Sequence, residues 1–155
     1  MKISKIISGG QTGVDRAALY AAISLGLEHG GFCPKGRVAE DGIIPLGYKM
    51  DELDTEEYSA RTMKNVQCSD GTIILHKGEI TGGTAFTEAF CKINKKPLLI
   101  INILDEFKEI RVNFSRWLET NTITILSIAG PRESEGQIYK KAKDLLIRLL
   151  KDHVL

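Results

Sequence analysis

The sequence predicts an α/β domain with an open parallel sheet and helices on both faces. Three observations predict it. Short, nearly continuous apolar stretches alternate with longer stretches of helical period along the whole chain. Two apolar stretches pass through a glycine turn straight into a helix, at Ser8-Gly9-Gly10-Gln11-Thr12-Gly13 and at Thr81-Gly82-Gly83-Thr84. No repeat, linker or low-complexity tract interrupts the 155 residues, enough for one domain, 1–155, with a full core. Five strands joined by right-handed crossovers follow from that alternation. The expected order is 2-1-3-4-5, with 3-2-1-4-5 as the alternative. The first would set the two glycine turns side by side at the carboxyl edge of the sheet.

The elements follow in order. Ile3 to Ile7 reads as the first strand, and Val14 to Leu25 as a helix whose alanines let it lie close on a sheet. Thr12 and Asp15 have the spacing of a capping pair. Gly30 to Cys33 reads as a short second strand that Pro34 ends. Lys35 to Met50 is a long irregular stretch, of a length usually functional or mobile. Asp54-Thr55-Glu56-Glu57 opens a second helix running to about Val66, on which Arg61 and Asn65 share a face. They either floor a site or lie on the surface.

Gly71 to Leu75 is the third strand. The helix after Thr84 carries Phe86, Ala89, Phe90 and Ile93 at core spacing. Leu98 to Ile103 is the fourth strand, and Asp105 opens a helix with the apolar stripe Phe107, Ile110, Phe114, Trp117 and Leu118. Thr122 to Ile128 is the fifth strand, ending in the turn Ala129-Gly130-Pro131-Arg132-Glu133-Ser134. The last helix, Glu135 to Asp152, turns Ile138, Ala142, Leu145, Leu146 and Leu149 inward.

Composition narrows the function. With 43% hydrophobic and 26% charged residues, the chain has the balance of a soluble globular protein. A net charge of +1 argues against a general nucleic-acid surface. No apolar run reaches membrane-spanning length, and Met1-Lys2-Ile3 leads straight into a core strand, leaving no room for a signal peptide. A cytoplasmic protein with no membrane partner is expected. Cys33, Cys68 and Cys91 fit reduced thiols, and His29, His76 and His153 lack ligand spacing, so no tightly bound metal is expected.

The first glycine turn suits an anion, because a helix start offers backbone N–H groups and the positive end of its dipole. It is not a P-loop, since no Lys-Ser/Thr follows Gly13. It is an incomplete dinucleotide fingerprint, with Ser8 where the first glycine belongs. A plain tight turn is the alternative. Where a dinucleotide enzyme would place an acid after the second strand, this chain has Lys35 and Arg37, suited to a phosphate. A solvated loop is the alternative there. Glu40 and Asp41 are site acids or partners of those cations.

Beyond these readings the chain resembles a known family. Ile7 through Leu19 is similar to the opening signature of the "putative molybdenum carrier" family. Gly31-Phe32-Cys33-Pro34-Lys35-Gly36-Arg37 and Ala39-Glu40-Asp41-Gly42 resemble its second block. Arg61 with Asn65-Val66, Ser69-Asp70-Gly71-Thr72, Thr81-Gly82-Gly83-Thr84 and Ala129 through Ser134 match the rest in order. The resemblance covers nearly the whole chain. Only Glu135-Gly136-Gln137-Ile138 departs from it, where the family has Pro-Gly before the last helix.

The resemblance implies a Rossmann-like fold related to lysine-decarboxylase-like proteins and to cytokinin-activating phosphoribohydrolases. It implies a homo-oligomer, dimer or tetramer, that binds molybdenum cofactor as a carried ligand. The expected function is therefore a carrier of a phosphorylated small ligand, molybdopterin-type or nucleotide. Its candidate ligand residues are Ser8, Gly9, Gly10, Gln11, Thr12, Gly13, Arg16, Lys35, Gly36, Arg37, Gly82, Gly83, Thr84, Gly130, Arg132, Glu133 and Ser134. The alternatives are a nucleotide-sensing module and a phosphoribohydrolase-like hydrolase. In the hydrolase, Asp15, Glu40, Asp41 or Glu88 would provide acid–base chemistry. Glu88 falls one residue late against the shorter form of the hydrolase turn, a rotation of about 100° around the helix.

Overall fold

The computed structural model describes residues 2–155. Its main sheet has five parallel strands: β1 (Lys5–Ile7), β2 (Glu28–Gly30), β3 (Gly71–His76), β4 (Leu98–Asn102) and β5 (Ile125–Ala129). The helices are α1 (Val14–Ser24), α2 (Tyr58–Gln67), α3 (Gly82–Ile93), α4 (Phe107–Asn121), α5 (Glu133–Gly136) and α6 (Tyr139–Leu150).

The spatial order is β2-β1-β5-β3-β4. Counted from β3 and continued through the chain ends, this is the expected 2-1-3-4-5 pattern. Counted from the first residue, however, the last strand lies between the first and the third. The turn after β5 therefore sits between the two glycine turns. The chain ends meet where such a rearrangement needs them to. Ile3 and Val154 form a parallel bridge, the Ile3 N–H donates to His153 O at 2.6 Å, and the Leu155 N–H donates to Ile3 O at 3.2 Å.

One face of the sheet carries the larger core. Ile6, Ile73, Leu75, Ile101, Leu126 and Ile128 alternate along the strands and pack against α1, α4 and α6. Ala17, Ala18, Ala21 and Ala22 are fully buried, and their small side chains bring α1 against Ala142, Leu145, Leu146 and Leu149 of α6. Phe114 and Leu118 of α4 are fully buried, each contributing about 1.5–3 kcal/mol of apolar transfer. The opposite face carries α2 and α3, which pack on each other.

Several boundaries differ from expectation. The second strand is Glu28–Gly30; Gly31, at φ 132°, breaks it from Phe32–Cys33, which pairs instead with Asp51–Glu52. The stretch after Pro34 is folded: Val38–Ala39 and Gly42–Ile43 form a hairpin, and Cys33, Ala39 and Ile44 make a small second core with Tyr48 and Met50. The last helix is split, because Gln137 takes a left-handed conformation between α5 and α6. The stripe Phe86, Ala89, Phe90 and Ile93 is not core. Phe86 is 38% and Ile93 78% exposed, whereas α3 buries Thr84, Thr87 and Cys91. The sheet beneath α3 presents polar Thr72 and Ser127, so its threonine face turns inward.

Candidate functional site

The loops after β1, β3 and β5 all rise at the carboxyl edge of the sheet. β1 crosses to β2 through α1 on one face and β3 to β4 through α3 on the other, so the winding reverses between them. A crevice opens at such a reversal. Here it is a cleft enclosing about 50 Å³, lined by Gly9, Gln11 and Asp15 from the first turn, Arg61, Thr62 and Asn65 from α2, Gly83, Thr84 and Thr87 from α3, and Ser127 to Gly130 with Arg132 and Glu135. The glycines at 9, 83 and 130 thus rim one cleft.

The two glycine turns treat their amides differently. In the first, the Gly10 N–H donates to Ser8 Oγ at 3.2 Å, the Gln11 N–H to Asp15 Oδ2 at 3.2 Å, and the Thr12 N–H to Gln11 Oε1 at 3.0 Å. The Val14 N–H is taken by Pro131 O at 3.2 Å. Thr12 and Asp15 do not form the expected cap; the N-cap of α1 is Gly13, with no side-chain cap. The carbonyls of Gly9 and Gly10 accept from Arg61 and Arg16. The first turn is therefore a knot that fastens loops together, with the amides of Gly10, Gln11, Thr12 and Val14 already engaged. At α3 the situation is reversed. Thr81 provides no side-chain cap, the first bond is the Ala85 N–H to Thr81 O, and Gly82 and Gly83 are exposed. The first helical amides are left for a ligand or water.

Charge gathers beside that opening. Asp15 and Arg61 face each other at 3.6 Å, with side chains only 7% and 12% exposed. Burial pushes the Asp15 carboxyl above its ordinary range, against the pull of Arg61, the Gln11 amide, Arg16 and Arg132. Both Arg61 and Arg132 place their guanidinium 5.3 Å from the Tyr58 ring centre. Arg132 also pairs with Glu135 at 3.2 Å.

Other candidate residues line a separate, wider groove of about 710 Å³: Thr12, Gly13, Arg16, Glu40, Asp41, Glu133 and Ser134, with Tyr48 and Tyr139. Arg16 is held there by Asp41 in a two-pronged pair at 2.7 and 2.8 Å. Glu40 accepts from Thr12 Oγ1, from the Ser134 N–H at 3.1 Å and from Ser134 Oγ at 2.5 Å. Burial raises the Glu40 carboxyl, but those bonds outweigh it and hold the group below its ordinary value. Asp41 is lowered too, by Arg16. Both acids act as staples between loops.

The remaining candidates lie elsewhere. The Arg37 guanidinium bonds the carbonyls of Ile44, Pro45 and Tyr48, closing its own loop. Lys35 is exposed beside Asp54 to Glu57, and the Gly36 N–H donates to Glu52. Neither cation lines the cleft, because the chain turns away after Pro34 through the Lys35–Arg37 turn. Glu88 pairs with Lys92 at 2.9 Å along the outer part of α3 and does not line the cleft. Ser8 is buried, its Oγ donating to Asp15 O at 2.8 Å.

Sequence reasoning missed Tyr58, Thr87, Ser127 and Glu135. Tyr58 lies three residues before Arg61 and Thr87 three after Thr84, so helical spacing from residues already singled out carries a signal for both. Asn65, noted with Arg61, binds the Phe32 backbone through both ends of its amide, at 2.7 and 3.0 Å. It ties α2 to the cleft wall. Among the described residues, no group of three or more His, Cys, Asp or Glu is placed to hold a metal ion, and no helix is long and apolar enough to cross a membrane.

The parallel sheet, its opposed crossovers and the carboxyl-edge cleft define a Rossmann-like α/β domain. The model of the circularly permutated YpsA SLOG family matches residues 6–150, and the chain belongs to that family. The permutation in its description agrees with the last strand lying beside the first. A crystal structure of the "putative molybdenum carrier protein" from Syntrophus aciditrophicus SB matches with a TM-score of 0.92 and 45% identity, over 96% of this chain and 94% of that one. No curated protein matches the sequence.

Proposed function

We propose that the protein is a carrier that binds a phosphorylated small ligand, molybdopterin-type or nucleotide, with its phosphate at the start of α3. One observation carries the reading: an uncapped helix N-terminus opens into a cleft that also holds Arg61, Arg132 and a buried side-chain amide without a partner. Such a helix end favours an anion. The name of the Syntrophus protein supports a molybdenum-related cargo. Here the anion site moves from the first glycine turn to the second, and Lys35 and Arg37 leave the ligand set. The test is titration with inorganic phosphate and with nucleoside monophosphates, alongside mass spectrometry of whatever co-purifies under native, anaerobic conditions. Arg132→Ala should weaken phosphate binding about 10- to 100-fold, as expected for a charge-assisted contact. Unchanged affinity would count against the site.

A second reading, a nucleotide-processing hydrolase, is favoured by Asp15 alone, a buried carboxyl in the cleft that holds its proton more tightly than usual. Release of free base from a monophosphate, lost in Asp15→Asn with binding retained, would establish it. We also read the outward stripe of α3 as the surface where copies of the chain meet. Light scattering should give a dimer or larger, and Ile93→Glu should reduce the mass; a monomeric wild-type protein excludes that surface.

A further inference from the structure

We infer that the side-chain amide of Gln11 reads the ligand directly, donating through Nε2 to an oxygen of the bound oxyanion. The inference rests on the phosphate-binding reading of the cleft, and it names an atom that senses the anion besides the helix amides and arginines.

Gln11 is 4% exposed and lines the cleft. Its Oε1 accepts two backbone bonds, from the Thr12 N–H at 3.0 Å and the Glu40 N–H at 2.9 Å. Both partners are donors, so the chemistry itself fixes which end of the amide is oxygen. Nε2 is then the other end, and it is buried with no partner. Native proteins seldom leave such a group unpaired, and those that remain point to a function or a bound molecule. Asp15 Oδ2, which accepts the Gln11 backbone N–H and faces Arg61, makes no bond to Nε2. A pure donor at this point selects an acceptor oxygen and opposes a ligand N–H.

The anchoring of Oε1 gives the donor a further property. One of its two anchors is the backbone of Glu40, whose carboxylate is in turn held by Thr12 and Ser134. The loop that carries Glu40 thus sets the direction in which Nε2 points.

Two measurements test the inference. In side-chain amide NMR of the wild-type protein, the Gln11 NH₂ resonances should move on saturation with inorganic phosphate and with a nucleoside monophosphate, and stay put with the parent nucleoside. In titrations, Gln11→Glu keeps both acceptor bonds but replaces the donor, and should bind phosphate about 10- to 100-fold more weakly. Resonances unmoved at saturation, or moved by the nucleoside alone, overturn the inference. So does Gln11→Glu binding like wild type while Arg132→Ala does not, an outcome that leaves the cleft reading standing. Wild-type protein that binds none of the probes overturns both. Should Gln11→Glu fail to fold, the resonances of the wild-type protein decide.

Discussion

The turns after β1 and β3 share a pair of adjacent glycines with threonine close by, yet they do opposite things. In the first, the amides of Gly10, Gln11, Thr12 and Val14 are engaged by Ser8, Asp15, Gln11 and Pro131, and neighbouring chain closes over the turn. Around Gly82 and Gly83 the helix start is bare. A glycine-rich helix start is thus a site only where no other loop supplies acceptors first. In the first turn the glycines serve close packing, Gly13 against the backbone of Pro131 to Glu133 and Gly9 and Gly10 against the side chains of Arg61 and Ile44; in the second they leave room.

The largest expected contrast is in stability. A Cβ on Gly13 would lie 2.3 Å from Pro131 O and 2.8 Å from the Glu133 nitrogen, at a φ of 79°. Gly13→Ala should therefore destabilise the fold by about 3 kcal/mol or more in urea unfolding. A Cβ on Gly83 meets nothing within 4 Å, so Gly83→Ala should change stability by less than about 0.5 kcal/mol. Equal effects at the two positions would erase the distinction.

Next in size is a contrast between two arginines. Arg132→Ala should weaken phosphate binding about 10- to 100-fold, whereas Arg37→Ala should leave it unchanged. The loss of three bonds to Ile44, Pro45 and Tyr48 should instead lower stability by about 1–2 kcal/mol. Calorimetric titration and urea unfolding of both variants separate the two roles.

A smaller effect concerns pH. Asp15 has a native value raised above the ordinary 3.8, so the folded chain keeps this proton to higher pH than the unfolded one. Its stability contribution is fully present below 3.8 and is lost as pH rises through the native value. Protonation also removes the charge that neutralises Arg61. Affinity for sulfate, which does not titrate in this range, should rise severalfold as pH falls through the Asp15 transition, and Asp15→Asn should flatten that rise. A wild-type profile as flat as that of the variant would show that Asp15 does not govern Arg61. Smallest of all, Glu88→Gln should not alter binding, because Glu88 faces Lys92 along α3.

The parts of the fold that follow from local pattern were legible in the sequence. Alternating apolar and helical stretches located β1, β3, β4 and β5 but set the second strand at Gly30 to Cys33 instead of Glu28–Gly30, and the stripe of α6 reads correctly at Ile138, Ala142, Leu145, Leu146 and Leu149. What failed depends on contacts between distant segments. Phe86, Ala89, Phe90 and Ile93 have a core period, but a period states only that one face is apolar, and here the sheet below took Thr84, Thr87 and Cys91. The place of β5 is likewise invisible locally, since its neighbours β1 and β3 are chosen by crossover geometry. The cleft was legible as an edge where glycine turns gather. Which turn stays open was not, because it depends on a carbonyl from Pro131 reaching Val14 across the fold.

The position of β5 also bears on how the chain is assembled. β1 is interior in the sheet, yet one of its two neighbours pairs through Lys5–Ile125, Ile6–Leu126 and Ile7–Ser127. That partner lies near the far end of the polypeptide. During synthesis the unit of β1, α1 and β2 must wait with an open strand edge and an uncovered alanine face until β5 and α6 have left the ribosome. Contacts this remote in sequence make folding slow and leave the nascent half prone to pairing with the wrong edge. The second glycine helix lies between β3 and β4, which pair directly with each other as β1 and β2 do, and β3 also takes β5 on its other edge. Both units can therefore pair internally at once, but the knot around Gly13 also needs the Pro131 carbonyl and closes only when the chain after β5 arrives.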